Sequence, residues 1–362
     1  MSKRYCIGLD LGGTSLKSGL VGETGEIFHF SKRPSGGALA AQAPLAAIAE
    51  AVDELRVLAG GIPAGIGLGA PGAIDPRSGS LVGTTPHMPH WSDFPLREAV
   101  ENLLGVPVAV DNDANLAALA EHHWGAARGA RSSITVTVGT GVGCGIVVGG
   151  EVVRGAHGGA GEIGHLPIGR GGLACRCGVE ACLEPDMSGG GLARRAAASG
   201  LESVGAEDVF AAAAAGDRAA GALVEDLCDR LGLAIAIAVD LIDPGVVVLG
   251  GGVSEAGEAL MSGVGRALGR YALASHRRGL RLVPAAMGER AGVAGAGLLA
   301  WRAATRAVAD GDPLVGRLGS VRDGNRCGRC RWPGSSRRSS GSRHGVPSSF
   351  SFSSTSRSTF AT

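Results

Sequence analysis

Lysine is scarce in this sequence: Lys3, Lys17 and Lys32 are the only three, and every other cation is an arginine. Aromatic residues make up 4% of the chain, so Val, Ile, Leu and Ala must fill any core. No apolar run is long enough and unbroken enough to span a bilayer. The longest, over residues 231–253, is interrupted by Asp240, Asp243 and Pro244. Residues 1–5 lead directly into a strand-like segment without the pattern of a secretory leader, so the chain is expected in the cytoplasm and off the membrane. A net charge of +1 offers no basic excess for a nucleic-acid backbone. Eight cysteines in 362 residues are too sparse for a secreted disulfide scaffold.

Glycine, by contrast, is abundant. Many of the 63 stand in clusters beside apolar runs, such as Gly12-Gly13 and Gly250-Gly251-Gly252, which suggests backbone brought close to a ligand. A 45% hydrophobic content and this length fit a globular chain of two domains. Residues 5–21 read as strand, glycine turn and strand, because Ile7, Leu9 and Leu11 alternate before Gly12-Gly13-Thr14. A second hairpin of the same design spans 133–153 around Gly139-Thr140-Gly141. Two copies, one near the start of each half, predict a duplicated α/β domain with a cleft between the copies. Helices are expected over 38–60, 96–104, 115–124, 189–198, 206–215, 219–242 and 291–308, and buried strands over 65–68, 106–110 and 246–249. From about residue 311 the chain turns rich in Ser, Arg and Gly and loses apolar period, so 311–362 is expected to be disordered. Cys327 and Cys330 form an isolated CxxC in that tail.

Four segments carry chemistry. Asp10-Leu11-Gly12-Gly13-Thr14 offers bare backbone N–H groups for phosphate, a hydroxyl from Thr14 and a carboxylate able to hold Mg²⁺ through water. A plain hairpin turn gives the same pattern. Gly139, Thr140 and Gly141 repeat it, and two such turns can grip one polyphosphate from both sides. At the end of the strand expected over 106–110, Asp111-Asn112-Asp113-Ala114-Asn115 places carboxylates where one can take a proton from a substrate hydroxyl. Helix capping explains part of that run, and alternation puts Asp111 and Asp113 on one face, so pattern does not choose between them. His165 with Cys175, Cys177 and Cys182 forms a Cys₃His set, a closed shell suited to structural Zn²⁺, flanked by Glu162 and Glu184.

In this order, and above all in the Glu162-Ile163-Gly164-His165 and Cys175-Arg176-Cys177-Gly178…Cys182-Leu183-Glu184 segments, the sequence resembles the ROK family of repressors and sugar kinases. That family belongs to the actin-like ATPase superfamily, and the likeness covers about residues 5–306. The resemblance implies an α/β fold of two actin-like (ribonuclease H-like) domains about a cleft, here 1–118 and 119–290, with the final helix packing back on the first. It implies ATP-dependent transfer to the primary hydroxyl of a hexose. Glucose is expected first, then N-acetylmannosamine, N-acetylglucosamine or fructose, with polyphosphate as an alternative donor. Asp113 is implied as the base; Asn112, Glu162, His165, Glu184 and His87 as sugar contacts; and His165, Cys175, Cys177 and Cys182 as the zinc ligands. The turns Asp10, Gly12, Gly13, Thr14 and Gly139, Thr140, Gly141 would hold ATP phosphates and Mg²⁺, with Gly250, Gly251 and Gly252 near the adenosine. A homodimer or homotetramer is implied.

Two departures stand out. Ala181 occupies a position that is usually Gly, and Thr85-Pro86-His87-Met88-Pro89-His90-Trp91 replaces a usual Asn-Leu-Pro-Gly-Trp, with His87 in the Asn place and His90 in the Gly place. Repressor members carry a helix-turn-helix domain ahead of the first hairpin, for which residues 1–5 leave no room. A chaperone-type ATPase has no use for the Cys₃His segment. A kinase is therefore expected, without a nucleic-acid partner.

Overall fold

The alternating apolar side chains Ile7, Leu9 and Leu11 are fully buried and form the centre of a first sheet. The computed structural model describes residues 4–309 except 62, 170, 172 and 202–204, so the expected tail and Cys327 and Cys330 lie outside the described residues. The first half runs β1 (Tyr5–Leu11), β2 (Ser15–Gly22), β3 (Ile27–Pro34), α1 (Ala43–Ala59), β4 (Ile66–Ala70), β5 (Thr84–Thr85), β6 (Met88–Ser92), α2 (Leu96–Leu104) and β7 (Val108–Asn112). Its sheet has the order β3-β2-β1-β4-β7, and β5 pairs with β6 in a separate ribbon. The first three strands form an antiparallel meander; β4 adds parallel to β1, and β7 parallel to β4.

α3 (Asp113–His123) then leads into β8 (Ser132–Val138), β9 (Val142–Val148), β10 (Glu151–Val152), α4 (Leu183–Met187), α5 (Gly189–Ala198), α6 (Ala206–Ala214) and α7 (Arg218–Ile242). β11 (Val246–Gly250), α8 (Glu258–Tyr271), α9 (Ala274–Arg277), β12 (Arg281–Pro284) and α10 (Ala291–Ala309) complete the described chain. The second sheet, β10-β9-β8-β11-β12, repeats the first in order and direction. Both sheets fall within one compact unit. Among the described residues no helix is long and apolar enough to cross a membrane.

Glycines bring helices onto both sheets. Gly8 and Gly67 are register partners on β1 and β4. A methyl placed on them would lie 2.1 Å from Val293 O and 1.9 Å from Ala296 O, so α10 rests its backbone directly on the first sheet. On β9 a methyl at Gly145 would lie 2.5 Å from Ala114 O, and α3 rests on the second sheet in the same way. The two helices also meet, Gly295 of α10 against Leu116 of α3.

Several boundaries differ from the sequence expectation, most of all at α1, which begins at Ala43 rather than residue 38. β7 runs on to Asn112, and α3 begins at Asp113 rather than residue 115. After Gly250-Gly251 a 3₁₀ turn (Gly252–Ala256) precedes α8. α8 and the edge strands β3 and β12 had no clear signal. α8 contains Gly263, Gly265 and Gly269; a methyl at Gly263 would meet Cys228 Sγ at 2.5 Å, so that glycine serves close helix packing against α7.

Candidate active site

The corner between β7 and α3 is built by hydrogen bonds that fix two side chains outward. Asn112 is the N-cap of α3: its Oδ1 accepts from Asn115 N at 3.0 Å, and its Nδ2 donates to Gly72 O at 3.0 Å. A cap of this kind contributes about 1 kcal/mol to the helix. Asp113 follows as the first helical residue, and its Oδ1 accepts the Ala114 N–H at 2.8 Å. Burial, then the negative charge of Asp10, and further Glu162, push the Asp113 carboxyl up to about 7, against a raising-resistant Ala114 N–H. A methyl at Gly69, the register partner of Asp10, would lie 3.5 Å from Asp113 Cα, so these two acids come from neighbouring segments.

Alternation does not place Asp111 beside Asp113, because the chain turns into helix between them. Asp111 is 2% exposed and already fully engaged. Its Oδ2 receives Arg154 Nε at 2.7 Å and Nη2 at 2.6 Å, and its Oδ1 receives Asn112 N at 2.8 Å and Asn115 Nδ2 at 3.1 Å. Of the four Asx residues in this run, Asp111, Asn112 and Asn115 hold the corner together. Arg154 escaped sequence reading, since its partner is 43 residues away and no local spacing signals the pair.

The two glycine hairpins have matching geometry. Gly12 N donates to Ser15 O at 2.8 Å in the first, and Gly139 N to Gly141 O at 2.9 Å in the second, leaving Thr14 and Thr140 exposed at the tips. Asp10 lies 3.2 Å from Lys17 Nζ across the β1–β2 ladder, which explains one of the rare lysines. The Asp10 carboxylate also overlies the first turn of α10, where a methyl at Gly292 would meet its Cγ at 2.5 Å; the helix dipole favours the charge there. Behind the second turn, Gly189 N at the start of α5 donates to Gly139 O at 2.8 Å. Gly250 closes β11, and Gly251, with φ 85°, lies on the Val138 backbone, where any side chain would collide. Gly252 begins the following 3₁₀ turn beside Gly139.

Glu162, His165 and Glu184 come from the loop and 3₁₀ turn after β10 and from the first turn of α4. Glu184 Oε2 accepts Val142 N at 2.8 Å, and His165 Nε2 lies 3.7 Å from Glu162 Oε2. Burial and then Glu184 raise the Glu162 carboxyl, with His165 opposing. His87 reaches this group from the first half: its backbone packs on Gly13, while a methyl at Gly141 would find Glu184 Oε2 at 2.5 Å and His87 Nε2 at 3.8 Å. His90 does something else. It is exposed, and its Nε2 lies 3.2 Å from Ala38 O in the loop after β3.

The side-chain donors of His165, Cys175, Cys177 and Cys182 lie within 4.8 Å of one another. His165 Nδ1 is 3.5 Å from Cys175 Sγ, and Cys177 Sγ is 3.4 Å from Cys182 Sγ. Three thiols and one imidazole nitrogen at this spacing fit a tetrahedral zinc shell. The imidazole has one nitrogen toward the cluster and the other toward Glu162. Ala181, beside Cys182, has φ 56°, a left-handed conformation that glycine adopts without strain.

A duplicated five-stranded sheet with paired glycine hairpins, an acid at the corner between them and a Cys₃His loop defines the actin-like phosphotransferase class. The ROK family matches residues 6–303, and the chain belongs to that family. It is 39% identical over 325 residues to a glucokinase of Halalkalibacterium halodurans, covering 83% of this chain and 96% of that protein. The crystal structure of a ROK hexokinase from Thermus thermophilus superposes with a TM-score of 0.71 at 39% identity, covering 83% of this chain and 99% of that one. A ROK family glucokinase from Streptomyces griseus, solved with glucose and AMPPNP, gives a TM-score of 0.73 at 32% identity, covering 82% and 99%.

Proposed function

We propose that this chain is an ATP-dependent hexose kinase that phosphorylates a primary hydroxyl, with glucose as its sugar and Asp113 as its general base. The observation that carries this is the Asp113 carboxyl, held near neutrality beside Asp10 and Glu162 at the corner between the two hairpins. A base needs a proton affinity near working pH and a place beside the donor hydroxyl. Asp113 has the first, and Asn112 next to it, anchored by Asn115 N and Gly72 O, would offer its second amide N–H to the same sugar. Asp113 takes the hydroxyl proton onto its free oxygen as the sugar oxygen attacks the γ-phosphorus and the bond from that phosphorus to the β–γ bridging oxygen breaks, releasing ADP. Glu162, Glu184 and His165 accept from or donate to the remaining hydroxyls and set which oxygen faces the phosphate.

The N–H groups of Gly12–Thr14 and Gly139–Gly141 would hold the phosphates, and Asp10 would hold Mg²⁺ through water. That ion, when bound, shields charge on the transferring phosphoryl oxygens. His165, Cys175, Cys177 and Cys182 would hold Zn²⁺, which fixes the sugar-facing loop and performs no chemistry. The domains 1–118 and 119–290 would close over the substrates and exclude water. A coupled kinase assay over glucose, mannose, fructose, N-acetylglucosamine and N-acetylmannosamine, with ATP or polyphosphate as donor, tests the proposal. Phosphorylation of glucose by ATP with the highest kcat/KM is expected; no transfer to any hexose from either donor would sink it.

A further inference from the structure

The Arg154–Asp111 pair, its carboxylate buried and its guanidinium half-buried, joins the two segments that carry the groups proposed to meet the substrate. Asp111 is the penultimate residue of the first sheet's edge strand, one residue before Asn112 and two before Asp113. Arg154 follows β10, the edge strand of the second sheet. Its fork places Nε and Nη2 on one Asp111 oxygen, at 2.7 and 2.6 Å, while the other oxygen holds the Asn112 N–H and the Asn115 amide. The corner therefore has its direction set from outside its own strand and helix. Arg154 also closes the loop toward Glu162, since Arg154 O accepts Ala160 N at 3.1 Å. Within that loop Gly158, with φ 78°, lies against Ile74 of the first half, where a methyl would be 2.0 Å from Ile74 O. A buried ion pair adds little net stability compared with apolar residues of equal volume, so geometry is what such a pair contributes.

We propose that Arg154 is a positioning residue for phosphoryl transfer: its fork on Asp111 aligns the β7–α3 corner with the loop bearing Glu162, so that base and sugar hydroxyl meet at the right distance. This rests on Asp113 being the base. A displacement of about 1 Å at a reacting group costs on the order of 10²-fold in rate. Loss of the fork is therefore read in kcat, with ground-state sugar binding little changed.

The test is steady-state kinetics of the full chain with glucose and saturating MgATP, for Arg154→Ala, Arg154→Lys and, in parallel, Asp113→Asn. For Arg154→Ala, kcat is expected to fall about 10²-fold while the glucose KM stays within about threefold, and added guanidinium should restore about tenfold of the loss. Arg154→Lys keeps the charge but not the fork and should fall between. If the alanine variant does not fold, the lysine variant decides by the same split of kcat against KM. A kcat within about threefold of wild type, a loss confined to KM, or a kcat loss that guanidinium leaves unchanged overturns the proposal. If Asp113→Asn is inactive while Arg154→Ala is not, the positioning role alone falls. If Asp113→Asn keeps its kcat, the assignment of the base falls and the positioning role with it.

Discussion

The first and second sheets share one strand order, but their central hairpins carry opposite chemistry at matching places. In the first, Asp10 pairs with Lys17 one step before the turn; in the second, Thr137 pairs with Gly143 at the same step. The neighbouring helix starts account for the difference. At Gly143 a methyl would already be 3.0 Å from Ala114 Cβ at the head of α3, so no long cation fits there. At the first hairpin the head of α10 presents Gly292 instead, which leaves space for the Asp10 carboxylate. The helices themselves diverge in the same sense, with Asp113 opening α3 and Ala291 opening α10. The repeated scaffold carries its charged pair at one hairpin and its helix-opening carboxylate at one helix start, the place proposed for the base.

Breaking the asymmetry at the base should have the largest effect. Asp113→Asn keeps size and hydrogen bonding but cannot take a proton, so kcat should fall by about 10²–10⁴ with sugar affinity kept. In the wild type, the base must be ionised to act. With its proton affinity pushed up to about 7, kcat/KM should fall as pH drops below that value. An acid limb in the ordinary carboxylate range instead would show that Asp113 is not crowded as described. Stability should move the opposite way. A raised carboxyl favours the folded state fully below the unfolded value of about 4 and loses that contribution as pH rises through about 7. The melting temperature of Asp113→Asn should therefore exceed the wild type by a growing margin between those limits and a constant one above.

The hairpins themselves come next. Asp10→Asn removes the only carboxylate on either turn and should lower kcat by about 10²–10³, as for loss of one preorganised charge contact. Thr140→Ala at the opposite tip removes a neutral hydroxyl and should cost about tenfold or less, chiefly in the KM for ATP. Equal losses at both positions, measured by steady-state kinetics, would mean the two sides share the phosphate charge evenly. Zinc removal tests the second half alone. About one metal per chain is expected. Cys177→Ser or chelation should raise the glucose KM by about tenfold with the KM for ATP unmoved, because the cluster reaches the site through His165 and Glu162. Elemental analysis beside kinetics checks both; full sugar affinity without metal would separate the loop from the ion.

Local pattern carried much of this. Strand alternation in β1 and β8, glycine turns after each, and the long apolar α7 were all legible because each satisfies its own burial within a few residues. The Cys₃His set was legible for the same reason, its three cysteines lying within eight residues. What stayed hidden depends on distant partners. Asp111 and Asp113 are indistinguishable by spacing, and only Arg154 and Asn115 show which one is spent on structure. β3 hid because an edge strand with Lys32, Arg33 and a half-exposed Phe28 lacks a clean apolar face. In α8, Gly263 marks close packing on Cys228, a partner that local pattern does not reveal.

His87 is where the two halves meet, and its replacement tests whether their division of labour extends to the sugar. Its backbone belongs to the first turn and its ring faces Glu184 behind the second. His87→Asn should change the ratio of kcat/KM between glucose and N-acetylmannosamine by about tenfold, the size of one altered polar contact. His90→Asn should move that ratio less than about threefold, since His90 is bonded to Ala38 O away from Glu184. Equal shifts would assign selectivity to the loop as a whole.

The smallest expected effect concerns strain that the second half alone carries at its site. Ala181 is held at φ 56° between Glu180 and the zinc candidate Cys182. Its carbonyl accepts Gly169 N at 2.7 Å, which ties the two arms of the loop together and fixes the conformation. A residue with a Cβ is disfavoured there by about 1 kcal/mol relative to glycine. Glycine also makes the unfolded chain more flexible and gives back part of that gain. Ala181→Gly should therefore raise the melting temperature by about 1–3 °C and tighten metal retention against a chelator, with kcat unchanged. A methyl at Gly171, across the loop, would lie 3.7 Å from Ala181 Cβ, ordinary contact that leaves the alanine without a packing role large enough to reverse the sign. A lower melting temperature in calorimetry would mean that the Ala181 methyl is worth more in packing than its backbone costs in strain.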